Sequence, residues 1–264
     1  MELRAERLSA LVLRTLPYGE SDQVVHLLAR GRGRLAVFAR GARSSKRRFG
    51  GALEPFQLCE VLVSTRTGAQ LLSLNESNVV EPHAGLRDDL HRLAHAGYAS
   101  ELAHDLTREH EPADGLFDAL CTFLFTLARS PATSARLRAL ELVFLGASGL
   151  APTLDACARC GAELPQGRAA LDPSAGGLVC NRCAPGGALA LSRGARALLE
   201  QLQDRGLAGA ESPQSADGSG RAADAKGFEE AAAQASHVLA AFLLHQLGRA
   251  PRSAEFLRQV GAPL

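Results

Sequence analysis

Four of the six cysteines stand as two C-x2-C pairs, Cys157 with Cys160 in CARCG and Cys180 with Cys183 in CNRCA, with nineteen residues between them. Thiolates are the soft ligands that tetrahedral zinc prefers, and two tight turns carrying two sulfurs each complete a four-coordinate shell with no position left for water. The expected chemistry is therefore structural Zn2+ binding rather than catalysis. Arg159 and Arg182 lie inside the two knuckles, where their charge would offset that of zinc held by four thiolates. A pair of disulfides is the alternative, but a chain without a secretion signal meets a reducing compartment in which such bonds seldom persist. Cys59 falls in a strand pattern and Cys121 in a helix pattern, each among apolar neighbours, and both read as core residues.

The second chemical feature is the run RGRGRLAVFARGARSSKRR, residues 30–48, in which eight of nineteen residues are cationic and none is acidic. The whole chain carries a formal net charge of only +1. Residues 1–80 hold twelve Lys/Arg against seven Asp/Glu, a net +5, which leaves −4 for residues 81–264. Such a cluster has two readings. Either it decorates a hairpin in an arginine-rich chain and attracts nothing in particular, or it lines a groove for a polyanion. In the second case nucleic acid is the obvious ligand, because phosphate binding gains free energy from released counterions. Strand alternation in RLAVFAR turns Arg34, Val37 or Phe38, and Arg40 toward defined faces, and RGARSSKRR forms a cationic loop beside them. Tyr18, Phe38, Phe49 and Phe56 are the aromatics within reach that could stack on bases.

Other chemical-looking signals are weaker. GRGRLA, residues 31–36, matches the dinucleotide fingerprint G-x-G-x-x-G/A, but that motif works only when it opens a helix, and LAVFAR reads as a strand; a hairpin turn is expected. His91 and His95 lie one helical turn apart without the H-E-x-x-H glutamate, and are expected on solvated helix surface. There is no G-x-S-x-G elbow, no full Walker loop and no suggestive carboxylate pair, so the chain does not read as an enzyme.

The elements that must position these residues fall into two parts. LSALVLRTL, DQVVHLLAR, RLAVFARGA, FQLCEVLVS and AQLLSLNES are five short β-branched or apolar runs separated by Gly- and Pro-bearing turns. They predict a small barrel or sandwich over residues 1–81, and a five-stranded barrel of the oligonucleotide-binding (OB) type fits the count. After Pro82 the apolar period lengthens to three or four. Helices are expected in LRDDLHRLAHAGYASELAHDL, GLFDALCTFLFTLARS and ATSARLRALELVFLGASGL, with Asp114 and Ser134 as N-caps and Gly149 as a stop. Within this second part, 82–264, residues 151–190 form the metal-binding insertion and Ser192–Gly206 a further helix. Residues 208–227 hold no large apolar side chain and read as a disordered loop. Phe228–Leu247 is the last long helix, and EFLRQV a terminal turn.

With 46% hydrophobic and 22% charged residues the chain has a globular composition. No apolar run approaches the roughly 20 residues of a membrane span, and MELRAERLSA lacks the order of a signal peptide, so a cytoplasmic location is expected.

Three blocks, LVLRTLPYGESDQVVHLLARGRGRLAVFARGARSSKRRFGGALEPF, LRALELVFLGASGLAPTLDACARCG and LDPSAGGLVCNRC, resemble in order the bacterial recombination mediators of the RecO family. The resemblance implies an α+β multidomain protein, with an N-terminal five-stranded OB-fold β-barrel followed by a mainly α-helical domain carrying a four-cysteine zinc-ribbon insertion. It also implies a non-enzymatic role in DNA repair and homologous recombination by the RecF pathway. Such a protein binds single- and double-stranded DNA, anneals complementary strands and helps load the recombinase with RecR, in the cytoplasm at the nucleoid. Carried onto this chain, the DNA-binding set is Arg14, Arg34, Arg40, Arg43, Lys46, Arg47 and Arg48. The metal ligands are Cys157, Cys160, Cys180 and Cys183. The C-terminal tail of single-stranded DNA-binding protein is expected on the helical part, where Arg136 and Arg138 could meet its carboxylates or be ordinary helix-surface charge. A protein-recruiting adaptor with incidental DNA contact is the alternative function.

Overall fold

The computed structural model describes residues 5–49, 51–65, 71–165, 167, 169–210 and 222–263. The chain forms two compact units, 1–131 and 132–264.

The first unit begins with strands β1 (Ala5–Tyr18), β2 (Asp22–Ala29), β3 (Gly33–Ala39), β4 (Leu58–Ser64) and β5 (Leu72–Glu81), with a four-residue helix α1 (Lys46–Phe49) between β3 and β4. They close into a barrel in the order β1-β2-β3-β5-β4, with β4 returning to β1 and β3 pairing with β5 in parallel. This is the OB-type ring that the five apolar runs predict. Closure depends on the length of β1. Its first half pairs with β4 and its second half with β2, and an irregularity between Val12 and Arg14 re-aims the strand where it changes partner. β3 shows why the apolar residues go in: Leu35, Val37 and Ala39 are buried while Arg34, Ala36 and Phe38 face outward, the period-2 alternation of a half-buried strand. The core holds Leu8, Val12, Val25, Leu27, Leu35, Val37, Cys59, Val61, Val63 and Leu74, and Phe49 and Leu53 from the β3–β4 connection also pack into it.

GRGRLA is the β2–β3 hairpin turn, as expected, and not a phosphate loop. Gly33 sits at φ 66°, and a Cβ there would stand 1.8 Å from the carbonyl oxygen of Glu111. Only glycine lets the 109–111 segment lie against the start of β3, where the His110 N–H donates to the Arg34 carbonyl at 3.0 Å.

Helices α2 (Leu90–Leu106) and α3 (Asp114–Leu127) complete the first unit. Asp89 caps α2, accepting from the Arg92 N–H. Asp114 is not the cap of α3: it is the first helical residue, and its carboxylate accepts from the Gly31 N–H in the β2–β3 turn at 2.6 Å. A tertiary donor has taken the oxygen that a cap would use.

In the second unit α4 (Ser134–Ala147) is capped by Thr133 rather than Ser134, whose hydroxyl meets Ser236 Oγ at 3.1 Å. Gly149, at φ 72°, follows its end as expected. The insertion contains a three-stranded sheet of β6 (Ala169–Asp172), β7 (Gly177–Val179) and β8 (Leu189–Leu191), in the order β7-β6-β8. Helix α5 (Arg193–Arg205) runs between its Ser192 cap and Gly206, as the sequence predicts. Both ends of the expected disordered loop at 208–227 are instead helical. Residues Gly206–Ala210 form a 3-10 turn and α6 (Ala222–Leu247) begins six residues before Phe228, while 211–221 lie outside the described residues. Alanine-rich sequence is enough to extend a helix backward from a packed apolar segment. EFLRQV belongs to a full helix, α7 (Arg252–Gln259). No helix among the described residues is long and apolar enough to cross a membrane.

Candidate nucleic-acid interface and metal centre

The register of the first three strands lays out the outer barrel face row by row. Leu16 opposes Val24, which opposes Phe38, so three apolar side chains cross the sheet in one row. The next row is Arg14, His26 and Ala36. At the other end Tyr18 opposes Asp22, and β3 runs out into Arg40. Tyr18 is 61% exposed and Leu16 44%, and the Tyr18 and Phe38 rings meet edge to face with centroids 5.4 Å apart. Val37 points into the core, which settles the Val37 or Phe38 alternative. Of the other two aromatics considered for stacking, Phe49 is a core residue, 2% exposed, and Phe56 is half-buried.

The cationic run divides into two electrostatic halves. Arg30 pairs with Asp118 and lies over the Phe117 ring, and Arg32 pairs with Glu6 at 3.4 Å. Arg34 is held by the His104 ring, its Nη1 donating at 2.8 Å to Nε2, by the His104 carbonyl at 3.2 Å, and by Glu109 at 3.9 Å; its side chain is only 19% exposed. Arg34 is thus enclosed by the end of α2 and the segment after it rather than offered to solvent. The second half differs. Arg48 donates to the Arg40 carbonyl at 2.8 Å and to Ser45 Oγ at 3.2 Å, and Arg43 donates to the Glu20 carbonyl at 3.2 Å. Those contacts fix the guanidinium groups without neutralising them. Among the described residues no carboxylate pairs with Arg14, Arg40, Arg43 or Arg48, and all four are exposed. The side chains of Lys46 and Arg47 lie outside the described residues. The 40–48 loop stays beside the β1–β2 turn because the Arg43 N–H donates to the Ser21 carbonyl and the Gly41 N–H to Asp22.

His26, in the middle row, adds no charge at neutral pH. Burial, then the Arg14 cation, lowers its pKa to about 4. His104 is lowered by burial and then by the Arg34 cation, consistent with a neutral ring nitrogen accepting from that guanidinium.

In the second unit the sulfurs of Cys157, Cys160, Cys180 and Cys183 all lie within 4.8 Å of one another. Cys160 and Cys180 Sγ are 3.8 Å apart. A tetrahedral zinc with bonds of about 2.3 Å requires sulfurs separated by about 3.8 Å, so the cage fits such an ion. The folding of the knuckles explains the convergence. β7 leads directly into Cys180, the Ala158 N–H donates to the Leu178 carbonyl, and the Cys180 N–H donates to Cys157 Sγ at 3.3 Å. That N–H is the chief reason the Cys157 thiol falls to about 6, whereas hydrogen bonding to Cys180 and Cys160 is the chief reason Cys183 is pushed up to about 12. Arg159 sits inside its knuckle but pairs with Asp172 at 2.7 Å, which locks the first knuckle onto β6; Arg182 is exposed. Cys59 is buried and Cys121 half-buried, both with thiols raised chiefly by burial, and neither joins the cluster.

Two expectations about helix surfaces are corrected. Arg138 is buried and paired with buried Glu141 at 2.9 Å, so it cannot receive an incoming peptide; Arg136 is half-buried. His95 is fully buried on α2, because that helix packs small residues such as Ala94, Ala96, Ala99 and Ala103 inward over most of its circumference. The sequence signal for Arg138 was its place three residues before Glu141 on an otherwise apolar helix face.

Comparison with known proteins gives two family models that together span most of the chain: "Recombination protein O N terminal" over residues 1–83 and "Recombination protein O C terminal" over residues 87–255. The chain is 48% identical over 257 residues to the DNA repair protein RecO of Anaeromyxobacter dehalogenans strain 2CP-C, covering 97% of this chain and 96% of that one. It is 39% identical over 259 residues to the RecO of Myxococcus xanthus, covering 96% of each. With that of Geobacter sulfurreducens it shares 39% over 182 residues, 69% of this chain and 74% of the relative. An OB-type barrel, a helical second part with a four-cysteine cage, and this likeness along nearly the whole length place the chain in the RecO family of DNA repair proteins, non-enzymatic mediators of recombination.

Proposed function

We propose that this chain binds single- and double-stranded DNA through the outer β1–β2–β3 face and the 40–48 loop of its barrel, anneals complementary strands, and helps load the recombinase together with RecR in the cytoplasm at the nucleoid. The observation that carries this reading is the set of exposed cations without carboxylate partners, Arg14, Arg40, Arg43 and Arg48, around one face of an OB-type barrel. Lys46 and Arg47, in α1, continue the same cationic run. Arg34 contributes by holding the 104–110 segment against β3 rather than by touching phosphate. Annealing needs no bond-making group. Cations that neutralise two approaching backbones lower the repulsion opposing their meeting, and counterion release drives the encounter. Arg138 takes no part in recognising the tail of single-stranded DNA-binding protein, which leaves Arg136 as the candidate from that pair.

Zn2+ is the metal we assign to Cys157, Cys160, Cys180 and Cys183, where it would hold the β6–β8 sheet and the two knuckles together as a structural ion. The deciding experiment is annealing of complementary strands coated with single-stranded DNA-binding protein, with wild-type chain and with Arg43, Lys46, Arg47 and Arg48 replaced by Ser. Loss of annealing in the variant supports the reading. Unchanged annealing overturns it and favours an adaptor whose DNA contact is incidental.

A further inference from the structure

From the row of outward apolar side chains on the barrel, we infer that Tyr18 and Phe38 form a stacking corner for unpaired bases, so that this face prefers single strands to duplex for a reason separate from charge. The inference rests on the proposed DNA-binding face and assigns it a specificity element. Tyr18, 61% exposed, and Leu16, 44% exposed, join Val24 and Phe38 in one contiguous outward apolar patch, and it is such patches rather than single exposed residues that mark binding surfaces. The two rings stand at 86° to each other. A flat base laid on one ring therefore meets the edge of the other, which suits a single inserted base and not the closed edge of a stacked pair. Val24 lies between Leu16 and Phe38, so the apolar row spans three strands, about 10 Å at the usual strand spacing.

Charge places the occupant. Arg14 stands two residues from Leu16 along β1, and Arg40 two residues beyond Phe38 along β3. Each is about 7 Å from the apolar row along the strand direction. An apolar strip bracketed by cations matches a polymer that alternates aromatic bases with anionic phosphates, one ring to each charge. Asp22, the carboxylate nearest in register, accepts from the Gly41 N–H and the Ser21 hydroxyl, which turn it toward the β1–β2 turn and the start of the 40–48 segment. Stacking on aromatic side chains is tolerant of base identity, because every base has a π face.

The test uses the full chain carrying Tyr18→Leu, Phe38→Leu or both, variants that keep apolar bulk and remove the rings. Binding to a 30-nucleotide oligo-dT, to an abasic strand of the same length and to a 30-bp duplex is followed by fluorescence anisotropy across a salt series. The double variant should bind oligo-dT about 5- to 150-fold more weakly, with an unchanged salt slope and unchanged duplex and abasic binding. Tyr18→Trp should retain or strengthen oligo-dT binding. Equal losses on oligo-dT and duplex, or no loss on oligo-dT, overturn the stacking inference. A wild-type chain that binds none of the three probes overturns the DNA-binding face itself. A salt slope that falls on replacing Arg40 and Arg43, with no effect of Tyr18→Leu, sinks the inference alone.

Discussion

Replacing Arg40, Arg43 and Arg48 together with Gln should change DNA binding in a way that replacing Arg30 and Arg32 does not, although all five lie within nineteen residues and carry the same charge. The first three hold no carboxylate among the described residues; Arg30 is paired with Asp118 and Arg32 with Glu6. Each phosphate contact on a single strand contributes about 0.7 to the slope of log K against log salt. The triple replacement should therefore lower that slope by about 2 and weaken binding about 100-fold near 0.1 M salt, equivalent to about 3 kcal/mol at 1.4 kcal/mol per tenfold. To meet a phosphate, Arg30 must leave Asp118, whose freed carboxylate then repels the same phosphate. Replacing Arg30 and Arg32 should thus shift the slope by less than one contact's worth, about 0.7. The pairs themselves are exposed, 52% and 55% for Arg30 and Asp118, and such pairs contribute only about 0–1 kcal/mol to folding, so both variants should remain folded. The assay is fluorescence anisotropy with oligo-dT from 50 to 400 mM salt, with circular dichroism as the folding control. The reasoning fails if the Arg30 and Arg32 variant loses as much slope as the triple variant, or if the triple variant loses none.

Chelation should remove one zinc per chain and expose residues 151–190 to protease before the barrel is cut, as should Cys160→Ser. The free energy of such sites, about 10–16 kcal/mol in small peptides, is as large as the net stability of a domain, and a metal-free chain with an intact, protease-resistant insertion would refute the assignment. Glu141→Leu should destabilise the second unit by about 3–5 kcal/mol in urea unfolding, because it strands the Arg138 guanidinium in an interior where its Nε finds no partner among the described residues; adding Arg138→Met should recover most of the loss. Stability should also depend on acid. His26, lowered to about 4 by burial and the Arg14 cation, stays neutral in the folded chain while the unfolded chain takes up a proton below about pH 6.5; His104, lowered by burial and the Arg34 cation, acts in the same direction. The unfolded state binds more protons in that window, so stability is constant above it and falls as pH drops from about 6.5 toward about 4. Urea midpoints at pH 7.5 and 5 should differ less for His26→Asn than for wild type, and equal differences would exclude this source.

The local code accounts for most of the fold. Alternation in RLAVFAR determined which β3 residues enter the core, the Gly-bearing turns determined where strands stop, and the Ser192 and Gly206 signals delimited α5. The C-x2-C spacing was sufficient to name all four members of the cysteine cage, since each pair sits within one turn and brings its own two sulfurs together. These features depend on neighbours a few positions apart, and a one-dimensional pattern records such neighbours directly.

What the pattern could not carry was pairing across long sequence separations. In the sequence Arg30, Arg34, Arg40 and Arg48 are equivalent cations; Asp118, eighty-eight residues from Arg30, and His104, seventy from Arg34, make them different. The same holds for Asp114, whose carboxylate serves Gly31 rather than its own helix, and for Arg138, whose burial depends on what packs around α4. Charge and side-chain type are properties of the chain. Whether a charge meets water, a carboxylate or a neutral ring is decided only when distant segments share the same few ångströms, and that determines which cations are free to meet phosphate.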